Sequence, residues 1–259
     1  MPIFSQTISA QQTATSAGVA NYPRIGAVVQ GSTMYDSFNR TTLNPTNMPA
    51  LYITGGVGTP AVNIGKYQLS VGTSTAANDN AYCILSELGF GRLSPYIDPK
   101  SNITFNVVFK ASEATSVQHF VGFQFANTSA ITALPTTGTV NFGVYLDTSV
   151  SNNWKLTSSD TSIQSTTDTT LAVNTTDVLR LQIQWTGNDS ATITLFKNST
   201  GTAGNTWITN SWTSVKSQTV SSLITSNTMT FSCFLNFFTQ TLTTAARHNI
   251  IYEWSAVTQ

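Results

Sequence analysis

Three glutamates and eight aspartates are all the carboxylates in 259 residues. Hydrolysis of a glycosidic bond needs two of them side by side on a strand, one as nucleophile or base and one as acid. None of Glu87, Glu113 and Glu253 has an acidic residue within four positions, and the aspartates fall mostly in turn-like stretches: Asp79, Asp98, Asp147, Asp160, Asp168, Asp177 and Asp189. His119 and His248 are the two histidines, each opening an apolar run beside an aromatic or arginine neighbour, and no G-x-S-x-G elbow occurs. Ordinary strand-end histidines are the expectation. The chain is read as a non-enzyme with no catalytic residue, no cofactor and no metal. Zinc lacks ligands. Calcium takes oxygen ligands from loops, which Asp147-Thr-Ser-Val-Ser-Asn-Asn153 and Asn78-Asp79-Asn80 offer, but the same residues are common in plain turns. A structural calcium therefore stays a minor alternative.

Binding chemistry has more candidates. The segment Asn198 to Trp212 places two tryptophans among glycine and asparagine, so Trp207, Trp212 and Asn205 form a candidate platform for stacking a sugar or docking a protein. The alternative makes Trp207 and Trp212 the edge of a core, on opposite faces by parity if the segment is extended. Residues 1–33 lack any sustained period and hold one cation, Arg24. They read as an extended arm, with Pro2, Ile3, Phe4, Tyr22 and Arg24 as its docking residues.

The elements that hold these groups are strands. Charged residues make up 8% of the chain, against about 25% in ordinary domains, while serine and threonine supply roughly a quarter. Solvent-facing positions must therefore be hydroxyls and amides, a composition that favours extended backbone and turns. Eleven basic and eleven acidic residues cancel, and no Lys/Arg cluster exists, which argues against nucleic acid. The apolar runs fall short of the roughly 20 residues a membrane helix needs. Cys83 and Cys233 each lie inside an apolar run and are read as buried free thiols, with a cross-sheet disulfide as the alternative.

From Met34 to Gln259 the chain reads as one sandwich domain of short alternating runs between turns. The clearest are Leu51–Thr54, Tyr67–Val71, Ala81–Leu85, Ile103–Lys110, His119–Ala126, Val140–Asp147, Trp154–Ser158, Val178–Trp185, Ala191–Lys197, Val215–Leu223, Met229–Phe238 and Asn249–Trp254. In Val178–Trp185, Leu179, Leu181, Ile183 and Trp185 share one face and Arg180, Gln182 and Gln184 the other, so that strand has one wet side. Ala191–Phe196 repeats the device across a hairpin. Ile103–Phe109 and Phe231–Phe238 are apolar on both parities and should be central strands.

Met34-Tyr35-Asp36-Ser37-Phe38-Asn39-Arg40 resembles the D-x-F-N-R opening of concanavalin-like (laminin-G-like) jelly-roll domains found in phage structural proteins and secreted bacterial proteins. The later order is also similar: Phe142–Leu146, Trp154–Leu156, Val178–Leu181, Ile193–Phe196 and a close on Tyr252-Glu253-Trp254. The resemblance implies a two-sheet antiparallel jelly-roll sandwich over Met34–Trp254. It does not imply one function, because lectins, glycosidases, adhesins and capsid parts share the fold. The N-terminus lacks a basic region followed by an apolar stretch, yet the composition looks extracellular. A virion protein released by lysis reconciles the two. The expectation is a phage capsid decoration or head-surface protein, docked by its arm on other virion proteins or neighbouring copies as a homo-oligomer. The alternative is a carbohydrate- or receptor-binding module of a phage tail or adhesin, with glycan as partner.

Overall fold

A computed structural model describes residues 33–36, 38, 51–63, 68–86, 102–125, 140–159, 164–186, 190–198, 211–221 and 233–258. The arm residues Pro2, Ile3, Phe4, Tyr22 and Arg24, and the platform residues Asn205 and Trp207, lie outside them. Among the described residues every regular element is a strand: β1 (Thr33–Asp36), β2 (Leu51–Gly56), β3 (Ala61–Asn63), β4 (Gln68–Gly72), β5 (Asn80–Ser86), β6 (Ile103–Ala111), β7 (Val117–Phe125), β8 (Val140–Asp147), β9 (Ser151–Ser159), β10 (Gln164–Ala172), β11 (Leu179–Thr186), β12 (Ser190–Asn198), β13 (Trp212–Ser221), β14 (Cys233–Thr241) and β15 (His248–Thr258).

They form two antiparallel sheets. Sheet A runs β13-β12-β11-β6-β15-β4-β3, with β1 also on β15, and sheet B runs β10-β9-β8-β7-β14-β5-β2. Each sheet joins a run of consecutive strands, β11-β12-β13 in one and β7-β8-β9-β10 in the other, to partners distant in sequence: β6 pairs with β11 and β15, and β14 with β5 and β7. These are the two strands read as apolar on both parities. Each sits inside its sheet, with Val108 and Phe238 buried on the faces turned away from the core.

Between the sheets, one parity of each strand closes the main core. Phe105 meets Phe123 at 4.1 Å with the rings tilted by 50°, and Phe123 stacks on Phe142 at 5.7 Å and Phe142 on Trp185 at 6.1 Å, so an aromatic column links the layers. Full burial of such a ring stabilises by roughly 1.5–3 kcal/mol. Cys83 is fully buried in this core.

The tail of β15 shows how the chain reconciles its own pattern. Ile251 and Trp254 are three apart, yet both point inward, because a bulge between Ile251 and Glu253 shifts the register against β6. Glu253 thereby faces out opposite Val108.

Three strands escape the sequence pattern. β10, Gln-Ser-Thr-Thr-Asp-Thr-Thr-Leu-Ala, is an edge strand with almost no apolar payload, and β1 and β3 are too short to show a period. β14 runs later than the apolar run that announces it, ending at Thr241 beyond Phe238. The D-x-F pair at the end of β1 has a local physical basis. Asp36 Oδ1 accepts the Phe38 N–H at 2.8 Å, holding Phe38 at φ 54° while its ring is fully buried in the main core.

Candidate functional site

The outer face of sheet A gathers the side chains best suited to hold a ligand. Arg180, Gln182 and Gln184 emerge there from β11, as alternation predicts; Gln184 is exposed and the other two are half-buried. Register then sets three rows across β15, β6, β11, β12 and β13. The first reads Glu253, Val108, Arg180, Phe196, Ser214; the second Ser255, Asn106, Gln182, Thr194, Ser217; the third Val257, Thr104, Gln184, Thr192, Thr219.

The first row is aromatic and cationic. The Arg180 guanidinium carbon lies 4.4 Å from the Phe196 ring centroid and 5.0 Å from that of Trp212. Val108 and Val178 are buried beneath, with Trp212 and Tyr252 packed against them. Burial lowers the Arg180 pKa, while the Glu253 carboxylate acts in the opposite direction, so the guanidinium remains a cation at neutral pH. A bulge in β13, where Leu195 faces Lys216 but Phe196 faces Ser214, brings Trp212 to this face. The platform candidate Trp212 thus stands here, half-buried, beside partners that parity alone did not assemble.

Hydrogen bonds run along the second and third rows, from strand to strand. Asn106 Nδ2 donates to Ser255 Oγ at 3.4 Å, and Gln182 Nε2 donates to Asn106 Oδ1 at 3.1 Å. The Thr194 and Ser217 hydroxyls are 2.9 Å apart, and those of Thr192 and Thr219 are 3.1 Å apart. Neither row carries a charge.

The outer face of sheet B differs. Phe120 and Phe238 are fully buried there, with Tyr82 and Tyr145 packed on them. Gly122 and Gly143 face each other in register, and the Phe120 ring lies over both. Asn141, Asn236 and Thr157 occupy the neighbouring positions, and all three are fully buried. Tyr145 and Lys155 share a cation–π contact at 6.0 Å.

Groups able to do acid–base chemistry are committed elsewhere. His119 was expected at an ordinary strand end, but it is the third residue of β7 and sits wholly inside the core, because its parity matches Val117 and Val121. Its ring lies parallel to Trp154 at 6.1 Å, and Nδ1 is 3.1 Å from Thr239 Oγ1. Desolvation, and secondarily His248, lower its pKa to about 3. His248 opens β15 and pairs with Ser70, Nδ1 to Oγ at 3.1 Å, its ring occupying the space a side chain at Gly72 would need. Glu113, whose carboxylate in a triad would orient the imidazole, instead accepts the His248 main-chain N–H at 2.7 Å.

Of the aspartates expected in turns, Asp168 lies within β10 and Asp147 closes β8; these two and Asp177 are engaged in local contacts. Asp147 Oδ1 accepts from Ser149 N at 3.0 Å and Oγ at 2.6 Å, and Oδ2 accepts from Gln118 at 2.9 Å. Asp168 accepts from Thr170 N and Asn153, which, in that order, hold its carboxyl below the usual range. Asp177 pairs with Lys197 at 2.8 Å. Among the described residues, no group of three or more His, Cys, Asp or Glu is placed to hold a metal ion.

The architecture is that of the lectin-like, concanavalin-like jelly-roll sandwich. No family model matches the chain and no curated protein matches it; the likeness is to solved structures, and at these identities it is a likeness of fold. Lectin II from Ulex europaeus superposes with TM-score 0.53 at 12% identity, over 88% of this chain and 98% of that one. The exoplasmic domain of VIP36, bound to calcium and Man3GlcNAc, gives 0.52 at 8% identity, over 80% and 83%. A Shewanella oneidensis protein of unknown function gives 0.52 at 14% identity, over 89% and 87%.

Proposed function

We propose that this chain is a non-catalytic carbohydrate-binding sandwich whose ligand seats on the outer face of sheet A. The observation that carries the reading is the Phe196–Arg180–Trp212 stack beside uncharged rows of amide and hydroxyl side chains. A sugar presents an apolar C–H face and a rim of hydroxyls. Aromatic rings take the first, and Asn, Gln, Thr and planar Arg donors and acceptors take the second. The fold likeness to lectins supports the reading without naming a sugar.

Glycan-array binding by the full chain tests it. Reproducible binding to a defined glycan class, lost in Trp212→Ala and Arg180→Ala variants of unchanged fold, is the expected result. An array on which the folded chain binds nothing, or binding indifferent to both substitutions, overturns it.

Residence on a virion, with residues 1–33 as the docking arm, is compatible with this activity and rests on the composition and on the aperiodic N-terminal segment. A neutral, hydroxyl-rich surface permits many copies to pack without mutual repulsion. Deleting residues 1–33 should abolish particle attachment while leaving the sandwich folded; attachment at unchanged occupancy refutes the arm.

A further inference from the structure

We infer that the ligand of sheet A is a linear, uncharged polysaccharide lying across the strands, bound along its length rather than by a chain end. This inference rests on the carbohydrate-binding reading and specifies its ligand. The geometry of the rows carries it. Neighbouring strands are spaced ~4.8 Å apart, so a row crossing five strands extends over ~19 Å. That is several times the width of one sugar ring. A site for a terminal monosaccharide converges polar groups on one point. Here they are dispersed at regular intervals along two parallel lines, from Ser255 to Ser217 and from Val257 to Thr219.

Charge selects among linear glycans. The ten positions of the second and third rows contain no ionisable side chain, and the first row carries Arg180 and Glu253, which oppose each other. An acidic polysaccharide would meet no cation over most of its length, whereas a neutral one would meet a donor or acceptor at nearly every strand. The Ser255–Asn106–Gln182 chain and the Thr194–Ser217 pair hold these groups in fixed orientation before any ligand arrives, which reduces the ordering cost of binding. Phe196 of the first row, with Trp212 and Tyr252 packed beside it on Val108 and Val178, then provides aromatic surface along one side.

The test is a length series. Cello-, xylo-, manno-, malto- and laminari-oligosaccharides, each from the disaccharide to the hexasaccharide, are titrated against the full chain, with oligogalacturonates as the acidic arm. Affinity in one neutral series should rise about tenfold or more from shortest to longest, with the free monosaccharide a poor competitor. Gln182→Ala and the near-isosteric Thr194→Val should flatten that rise; unchanged thermal midpoint and circular dichroism for Thr194→Val separate lost contacts from lost fold. Binding that is independent of length, fully competed by a monosaccharide and unmoved by Gln182→Ala and Thr194→Val, yet lost in Trp212→Ala, would overturn the linear-chain inference and leave carbohydrate binding standing. Preference for the oligogalacturonates would overturn the neutral-ligand part, and absence of binding by any probe at any length would overturn both.

Discussion

Arg180 and Phe196 stand opposite each other in the β11–β12 register, and the guanidinium lies 4.4 Å from the ring centroid, with Trp212 on the guanidinium at 5.0 Å. A cation on an aromatic face is worth about 0.5–1 kcal/mol when solvated and about 2 kcal/mol when desolvated; this half-buried pair belongs between those limits. Lysine keeps the charge but loses the flat surface that stacks on two rings. Arg180→Lys is therefore expected to lower the thermal midpoint by roughly 2–4 °C and to reduce the quenching and polarity response of Trp212 fluorescence. A double-mutant cycle with Phe196→Leu isolates the pair: additive losses would show that Arg180 acts through its stem rather than through the ring.

On the other sheet, the glycines Gly122 and Gly143 allow β7 and β8 to approach under Phe120. A Cβ at Gly143 would lie 2.7 Å from the Gly122 Cα and 3.2 Å from the Phe120 ring. The first of these neighbours is backbone of a central pairing and cannot move without parting the strands. Gly143→Ala should cost about 2–3 kcal/mol in urea unfolding. Adding Phe120→Leu relieves the ring contact and leaves the backbone clash, so the double variant should stay destabilised; recovery to the stability of Phe120→Leu alone would assign the cost to the ring.

Much of this was legible in the alternation of single strands. Arg180, Gln182 and Gln184 fall on the open face and Leu179, Leu181, Ile183 and Trp185 on the buried one, because period-2 side-chain placement follows from strand backbone. Two-parity runs located β6 and β14 inside their sheets for the same reason. Strand order and register are set by contacts distant in sequence, so the rows from Glu253 to Ser214 could not be read. One local signal for Phe196 existed: a lone aromatic on the same parity as Thr192 and Thr194. Trp212 reaches that face through a bulge, and bulges leave no trace in an alternation count. His119 is the reverse case: a polar residue at the head of an apolar run suggests a strand end, while its parity with Val117 and Val121 places it in the core.

The end of β1 makes a separate, local prediction. Asp36 is buried, and its Oδ1 accepts the N–H of Phe38, whose φ of 54° is a conformation that non-glycine residues rarely adopt. Asp36→Ala leaves that buried donor without this acceptor and should cost about 1–3 kcal/mol. Asp36→Asn retains an oxygen in the same place and should recover most of the loss. Equal destabilisation by both variants would show that the Phe38 bond is not what Asp36 contributes.

His119 gives the chain an acid limit that can be measured. It is sealed beside Trp154, with Thr239 as its side-chain hydrogen-bond partner among the described residues, and burial first, then the nearby His248, lower its pKa from 6.5 to about 3. The folded state thus holds a neutral imidazole where the unfolded chain binds a proton below pH 6.5. The stability this residue supports is fully present above pH 6.5 and drains away as pH falls toward 3, at roughly 1.4 kcal/mol per pH unit. Between pH 6.5 and 5 ordinary carboxylates stay ionised, so urea unfolding in that window reads the histidine. His119→Phe keeps a flat ring on Trp154, surrenders the bond to Thr239 and should lower stability at pH 7.5 while removing most of the slope below pH 6.5. His248→Gln removes the smaller of the two causes, so most of the slope should remain. An undiminished acid slope in His119→Phe would place the titrating group elsewhere and show that His119 is not the residue that sets the acid limit.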